Sequence, residues 1–336
     1  MSSLEPHVVG VDVGGTDTKA ALVDAGGTAR AARSLPTPHA GPATADRVID
    51  LVAGLVEELG RESRPVAVGL AVPGVVDEAG GRAVWSENID WRDVPFVAAV
   101  GERCGLPAVL GHDVRAGGLA ESRLGAARGV DDVLFMPIGT GIAAAVILGG
   151  RLHAGDGYAG EIGHVDVGHG EPCACGGSGC LEAIASAAAI ARRYAARTGR
   201  PVAQPAVVGP RGAGAVHAVV GPPAAGPAVA GPPVTGAEEV VRAAHAGDPD
   251  AIVVWEEALD ALGLALAWVA SVLAPEAIVI GGGLSRAGDA LLDPLAERMR
   301  RRLTFQRVPR LVPAALGDQA GCLGAALLAL DGVRAC

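Results

Sequence analysis

The sequence predicts an α/β protein, and three observations carry that prediction. Two short apolar runs each turn back on themselves through a glycine–threonine tip. Strand-like and helix-like segments alternate between and after them. With 336 residues, the chain has room for two domains or for one large one with a deep cleft.

The elements follow in order. Val8 to Val13 is an apolar run ending in Gly14-Gly15-Thr16, and the apolar character resumes from Ala20 to Val23, which reads as a β-hairpin closed by a glycine turn. Ala45 to Glu62 has helical spacing, Val66 to Val72 reads as a strand, and Pro73-Gly74 marks a sharp turn. A second hairpin of the first kind runs from Val133 to Leu148 through Gly139-Thr140-Gly141. Leu181 to Arg197 is alanine-rich and reads as one helix. Gly199 to Gly236 is dominated by Gly-Pro, Pro-Pro and Ala-Gly steps with few large apolar residues, the composition of a linker-like insertion. Helical spacing returns from Ala237 to Leu273, a strand is expected from Ala277 to Ile280 before Gly281-Gly282-Gly283, and Gly321 to Leu330 reads as a packed last helix.

Composition narrows the function classes. Half of the residues are apolar but only 3% are aromatic, so the core is built from Val, Leu, Ile and Ala. The formal net charge of −10 argues against a nucleic-acid backbone as partner. Arg298 with Arg300 to Arg302 is the one compact basic cluster in the sequence and reads as the solvated face of a helix. Three of the six cysteines cluster, while Cys104, Cys322 and Cys336 are scattered, which is no disulfide framework and fits a reducing compartment. The start of the chain lacks a signal-peptide layout, and the apolar region Leu262 to Leu273, stopped by Pro275, is too short to span a bilayer. A cytoplasmic protein without membrane or nucleic-acid partners is expected.

Two motifs carry chemistry. In Asp12-Val13-Gly14-Gly15-Thr16-Asp17-Thr18-Lys19 the glycines let backbone amides approach an anion, and Thr16 and Thr18 offer hydroxyl donors. Lys19 is the single lysine of the chain, and Asp12 is placed to bind a hydrated Mg2+ that neutralises phosphates. Repetition at Ile138-Gly139-Thr140-Gly141 strengthens the reading, since two such turns can clasp a polyphosphate. Neither turn is a P-loop, and neither has the strand-to-helix context of a dinucleotide fingerprint. The second motif is the segment Glu161 to Glu182. Its Cys173, Cys175 and Cys180, with His164 or His169 as fourth ligand, form an S3N set suited to Zn2+.

Asp12 to Lys19, the Glu-Asn-x-x-Trp string from Glu87 to Trp91, Glu161 to His164, and the string Cys-x-Cys-Gly-x-x-Gly-Cys-x-Glu together resemble the ROK family of sugar kinases and sugar-responsive repressors. The resemblance covers nearly the whole chain apart from the insertion. It implies a two-lobed, actin-like sugar-kinase fold with a cleft between lobes. The small lobe would be 1–110, completed by the C-terminal helix 321–336. The large lobe would be 111–320, with the zinc loop 161–182 and the insertion 199–236. It implies ATP and Mg2+ at Asp12, Gly14, Gly15, Thr16, Thr18, Lys19, Thr140 and Gly141, with Gly282 and Gly283 bordering the adenosine.

On the sugar side the resemblance implies Gly74, Asn88, Glu161, His164 and Glu182, whose polar groups pair with hydroxyls and reject sugars lacking them. It implies that His164 also binds a structural zinc through its other ring nitrogen, with His169 the competing ligand. Asp113 matches the catalytic aspartate that takes the proton of the attacking hydroxyl. Members commonly read Asn-Asp-Ala-Asn here, whereas this chain reads His112-Asp113-Val114-Arg115. Arg115 either points inward, where it lowers the pKa of Asp113, or lies outside. Trp85 and Trp91 flank Asn88 and read as packing residues outside the site. The implied activity is ATP-dependent phosphorylation of a hexose, glucose first, by a dimer or tetramer. Another hexose, an N-acetylhexosamine, or a catalytically weak sugar sensor are the alternatives.

Overall fold

The computed structural model describes residues 6–86, 89–203 and 231–335. Asn88 and most of the 199–236 insertion lie outside them.

Strands β1 (His7–Val13) and β2 (Asp17–Val23) form the first hairpin, with Val13 opposite Thr18, and β3 (Ala29–Pro36) pairs antiparallel to β2. Helix α1 (Thr44–Gly60) returns the chain to β4 (Pro65–Val72), parallel to β1. A small antiparallel sheet follows, made of β5 (Val75–Asp77), β6 (Arg82–Ser86) and β7 (Trp91–Val94). After α2 (Phe96–Cys104), β8 (Ala108–His112) pairs parallel to β4, and α3 (Asp113–Arg123) begins at the next residue. Then come β9 (Val133–Pro137), β10 (Ala145–Leu148) and β11 (Arg151–His153), an antiparallel meander. Next are α4 (Leu181–Ala185), α5 (Ala187–Thr198), α6 (Ala237–His245), α7 (Pro249–Leu273), β12 (Ala277–Gly281) and α8 (Asp289–Arg301). The chain ends with β13 (Arg310–Pro313), parallel to β12, and α9 (Ala320–Ala335). The order β3-β2-β1-β4-β8 recurs as β11-β10-β9-β12-β13, so the two glycine–threonine hairpins of the sequence open two sheets of one plan.

The chain divides into two compact units. One comprises Met1–Phe135, Ala144–Gly160 and Ala314–Cys336, and the other Met136–Ala143 and Glu161–Pro313. In the first, alternation along the strands sends Val9, Val11, Leu22 and Leu70 to one face, where Val48, Val52, Leu55 and Leu59 of α1 cover them. Val8, Ala21, Val23 and Ala67 face the other way, onto Leu323, Ala326, Leu327 and Leu330 of α9 and Leu119 of α3. Both faces are buried, which is why Val8–Val11 of β1 and all of β4 are apolar instead of alternating. At Gly10 and Gly69 a Cβ would run into the backbone of α9, so these two glycines let the helix lie directly on the sheet. Trp91 is buried edge-on to Phe96 at 5.0 Å, and Trp85 is half-exposed on β6.

In the second unit α7 is the central helix, burying Val254, Trp255, Leu259, Leu262 and Leu266 and packing with α4, α5, α6 and α8. Two segments expected as single helices are broken. Ser186 adopts an extended conformation between α4 and α5, and its hydroxyl accepts the Ala189 N–H (3.1 Å) as a helix cap. Asp248 caps α7 through the Ala251 N–H (2.9 Å), with Pro249 in the first helical position. The basic cluster at the end of α8 is paired locally: Arg300 and Arg301 with Glu297 (2.8 and 2.9 Å) and Arg298 with Asp260 (3.0 Å). Among the described residues no helix is long and apolar enough to cross a membrane.

Candidate active site

In the first unit the turn between β1 and β2 is held from the end of β3. The Gly14 N–H donates to Asp17 O (3.0 Å), the Thr37 N–H to Thr16 O (2.8 Å), and the Thr37 hydroxyl to Gly14 O (2.7 Å). With the Thr37 proton used there, the buried Thr18 hydroxyl donates to Thr37 Oγ1 (2.9 Å) and serves the turn internally. His39 Nε2 lies 2.7 Å from Gly15 O, while Gly15 and Thr16 stay exposed at the tip.

Asp12, at the base of this turn, is pushed up to about 7, first by burial, then by the negative charge of Asp113. Asp318 adds to the effect and Lys19 opposes it. Lys19 Nζ stands 3.8 Å from Asp318 Oδ2, just before α9, and a Cβ on Gly321 would strike the Asp12 carboxylate. The carboxylates around Asp12 exceed the one lysine nearby, a donor set that suits a hard divalent cation.

Asp113 opens α3, so its carboxylate sits at the positive end of a helix. Its Oδ1 accepts the Val114 N–H (2.7 Å) and lies 3.2 Å from His112 Nδ1. His112 is the N-cap, with its Nδ1 3.2 Å from Val114 N. Arg115 points inward, with its side chain 3% exposed and Nε on Glu78 Oε1 (2.8 Å). Gly74, after β4, has φ +95° and abuts Trp85 O and Ser86 at the end of β6.

In the second unit the other glycine–threonine turn is clamped on two sides. The Ile142 N–H donates to Glu182 Oε2 (2.8 Å) and the Ala187 N–H to Gly139 O (2.8 Å). Opposite, the Ile138 N–H donates to Gly281 O (2.9 Å) and the Leu284 N–H to Ile138 O (3.0 Å), with Gly282 at φ +74°. A Cβ on Gly141 would meet the Glu182 carboxylate, and one on Gly163 would meet Ile142 O. These two close approaches bring α4 and the Glu161–His164 segment against the turn that carries Thr140.

Four ligand atoms from His164, Cys173, Cys175 and Cys180 lie within 4.8 Å of one another, and His169 is not one of the four. Cys175 and Cys180 sulfurs are 3.6 Å apart, and Cys173 Sγ is 3.8 Å from His164 Nδ1. A tetrahedral zinc with Zn–S near 2.3 Å requires edges of about 3.8 Å, so the set fits that ion. The Cys175 thiol is lowered to about 7, first by the Gly177 N–H and then by the neighbouring cysteines, whereas burial pushes Cys180 up to about 12. A bound cation would hold both as thiolates. With Nδ1 turned to the sulfurs, Nε2 of His164 is the nitrogen left for another partner.

Two cavities complete this unit. One, about 720 Å³, has Gly283, Leu284, Ala287, Ala237 and Val241 among its walls, with Thr235, Glu238, Arg242, His245 and Arg286 as polar groups. Apolar faces with a few polar groups suit a nucleotide base. The other, about 890 Å³, joins Thr140 and Glu182 to Cys173 and to Arg192 and Arg193 of α5.

Sequence reasoning missed Thr37, His39, Asp318 and Glu78. Each reaches its partner from a distant part of the chain, and no local spacing marks it. Asn88, expected on the sugar side, lies outside the described residues.

Two sheets of one plan, each opened by a glycine–threonine turn, and an aspartate at the head of α3 define the two-lobed, actin-like ATPase fold in its sugar-kinase form. The sequence profile of the ROK family matches residues 8–332, and the chain belongs to that family, among its sugar kinases. It is 33% identical over 328 residues to a glucokinase of Streptomyces coelicolor, covering 96% of this chain and 97% of that one. The crystal structure of a ROK hexokinase from Thermus thermophilus aligns with a TM-score of 0.81 at 34% identity, covering 98% and 100% of the two chains. A ROK glucokinase from Streptomyces griseus, in complex with glucose and AMPPNP, aligns with a TM-score of 0.74 at 31% identity over 97% and 100%.

Proposed function

We propose that this protein transfers the γ-phosphate of ATP to the 6-hydroxyl of a hexose, glucose first among them. The observation that carries the reading is the aspartate at the head of α3, set beside a second carboxylate at the base of a glycine–threonine turn. The likeness to a glucokinase solved with glucose and an ATP analogue supports both substrates. Asp113 accepts the proton of the attacking hydroxyl and orients it, a role that needs a fixed carboxylate more than a strong base. The backbone of the Gly14–Thr16 tip, Lys19, Thr140 and Gly141 receive the phosphates, and Gly282 and Gly283 border the adenosine at the cavity beside α6. Asp12 would hold Mg2+, which neutralises phosphate charge when bound.

Glu161, His164, Glu182, Gly74 and Asn88 bind the sugar. Zinc on His164, Cys173, Cys175 and Cys180 would orient His164 from behind and take no part in the transfer. Glu182 has one oxygen committed to the Ile142 N–H, so its other oxygen faces the sugar hydroxyls while the first couples the sugar site to the phosphate turn.

A panel of hexoses and N-acetylhexosamines with ATP and Mg2+, read as ADP release, tests the assignment. Glucose should give the highest kcat/KM. A better amino-sugar or mannose substrate would move the specificity, and glucose binding without ADP release from any sugar would make the protein a sensor.

A further inference from the structure

The established likeness says nothing of what holds Asp113 in place in a chain that reads His-Asp-Val-Arg. We propose that Glu78, joined to Arg115, is the positioning residue of Asp113, and the proposal rests on the reading of Asp113 as the base. Glu78 follows β5 and lies far from α3 in sequence. Yet its Oε1 accepts both the His112 N–H (3.2 Å) and the Arg115 Nε–H (2.8 Å). One oxygen therefore grips the chain immediately before Asp113 and again two residues after it. The first turn of α3 is pinned on both sides of the carboxylate, against twisting about its axis and against sliding along β8.

The grip continues beyond Glu78. Arg115 Nη1 donates to Gly157 O (3.3 Å), in the segment that leads in sequence to Glu161, and Arg115 Nη2 is buried without a partner. Its side chain is 3% exposed and that of Glu78 30%, so the guanidinium is held in the interior and, among the described residues, the carboxylate is its one anionic partner in hydrogen-bond contact. A buried arginine depends on such a partner to stay in place. Its planar fork spans Glu78 and Gly157 at once, which a lysine could not do.

A structural ion pair would be felt in stability and in every ligand affinity alike, whereas a positioning pair is felt in turnover. Glu78→Gln keeps an acceptor oxygen at the same place and removes the charge. It should lower kcat about 10- to 100-fold, the penalty for displacing a reacting group by a fraction of an ångström to an ångström, with the KM for glucose changed less than about threefold. Arg115→Lys should act in the same direction. In an Asp113→Asn background, Glu78→Gln should add nothing to the residual rate, because what it positions is gone.

A kcat within about twofold of wild type for Glu78→Gln, or parallel losses in kcat, glucose affinity and melting temperature, would overturn the proposal. If Asp113→Asn itself turns over normally, it is the base assignment that fails. A normal Glu78→Gln beside a dead Asp113→Asn removes the positioning role alone. Should Glu78→Gln fail to bind glucose at all, Glu78→Asp decides. Its charge is kept and its reach shortened, and an unchanged kcat there also overturns the proposal.

Discussion

At the scale of single residues, the site is organised by carboxylates whose neighbours differ. Asp12 is raised to about 7 from an ordinary 3.8, first by burial and then by the charge of Asp113. The folded protein thus holds a proton on Asp12 that the unfolded chain releases near 3.8. Stability linked to this group is complete at low pH and is lost as pH rises toward 7, by about 4 kcal/mol in all. Asp12→Asn, measured without divalent cation, should therefore melt at a higher temperature than wild type at pH 8, with the gap narrowing toward pH 5. A gap that did not change with pH would show that Asp12 ionises as in a free peptide. The same substitution should raise the Mg2+ concentration needed for activity, since it removes the proposed anionic ligand.

At the scale of elements, close approach of backbones does much of the work. Helix α9 lies on Gly10 and Gly69, and a Cβ at Gly69 would enter the carbonyl of Ala325. Gly69→Ala should destabilise by roughly 1–3 kcal/mol. Gly54, exposed in α1 with open space where a Cβ would go, presents the opposite case, and Gly54→Ala should stabilise by about 0.5–1 kcal/mol. Thermal melts of the two variants check both signs at once. The Cys loop is a second such element. With zinc bound there as proposed, its removal by a chelator, or Cys175→Ser, should raise the KM for glucose about 10- to 100-fold, the range found when support behind a ligand is lost. The KM for ATP should stay nearly unchanged. Equal changes in both would separate the loop from the sugar.

For the whole molecule, what was legible in the sequence followed from local chemistry. Glycine–threonine tips announced both hairpins, whereas the shared plan of the two sheets they open was not read from the sequence. The spacing of Cys173, Cys175 and Cys180 announced a clustered ligand set, and it is His164, on the 161–164 segment packed against the Ile138–Ile142 turn, whose ring nitrogen lies among the three sulfurs. The two expected long helices broke at Ser186 and at Asp248-Pro249, cap signals that alanine-rich spacing had masked. Illegible were the contacts between distant segments: Thr37 on the Gly14–Thr16 turn, Asp318 on Lys19, and Glu78 on Arg115. Whether Arg115 turned inward depended on an anion 37 residues away, which no local pattern reveals.

The proposed role of Asp113 is in phosphoryl transfer to a hexose and not in its binding. ADP release with glucose, ATP and Mg2+, measured beside glucose affinity for wild type and Asp113→Asn, tests it most directly. Wild type should release ADP in a glucose-dependent manner, the variant about 100- to 10,000-fold more slowly, with glucose affinities within a few-fold of each other. Release by the variant at the wild-type rate, or glucose binding by wild type with no release, would contradict it.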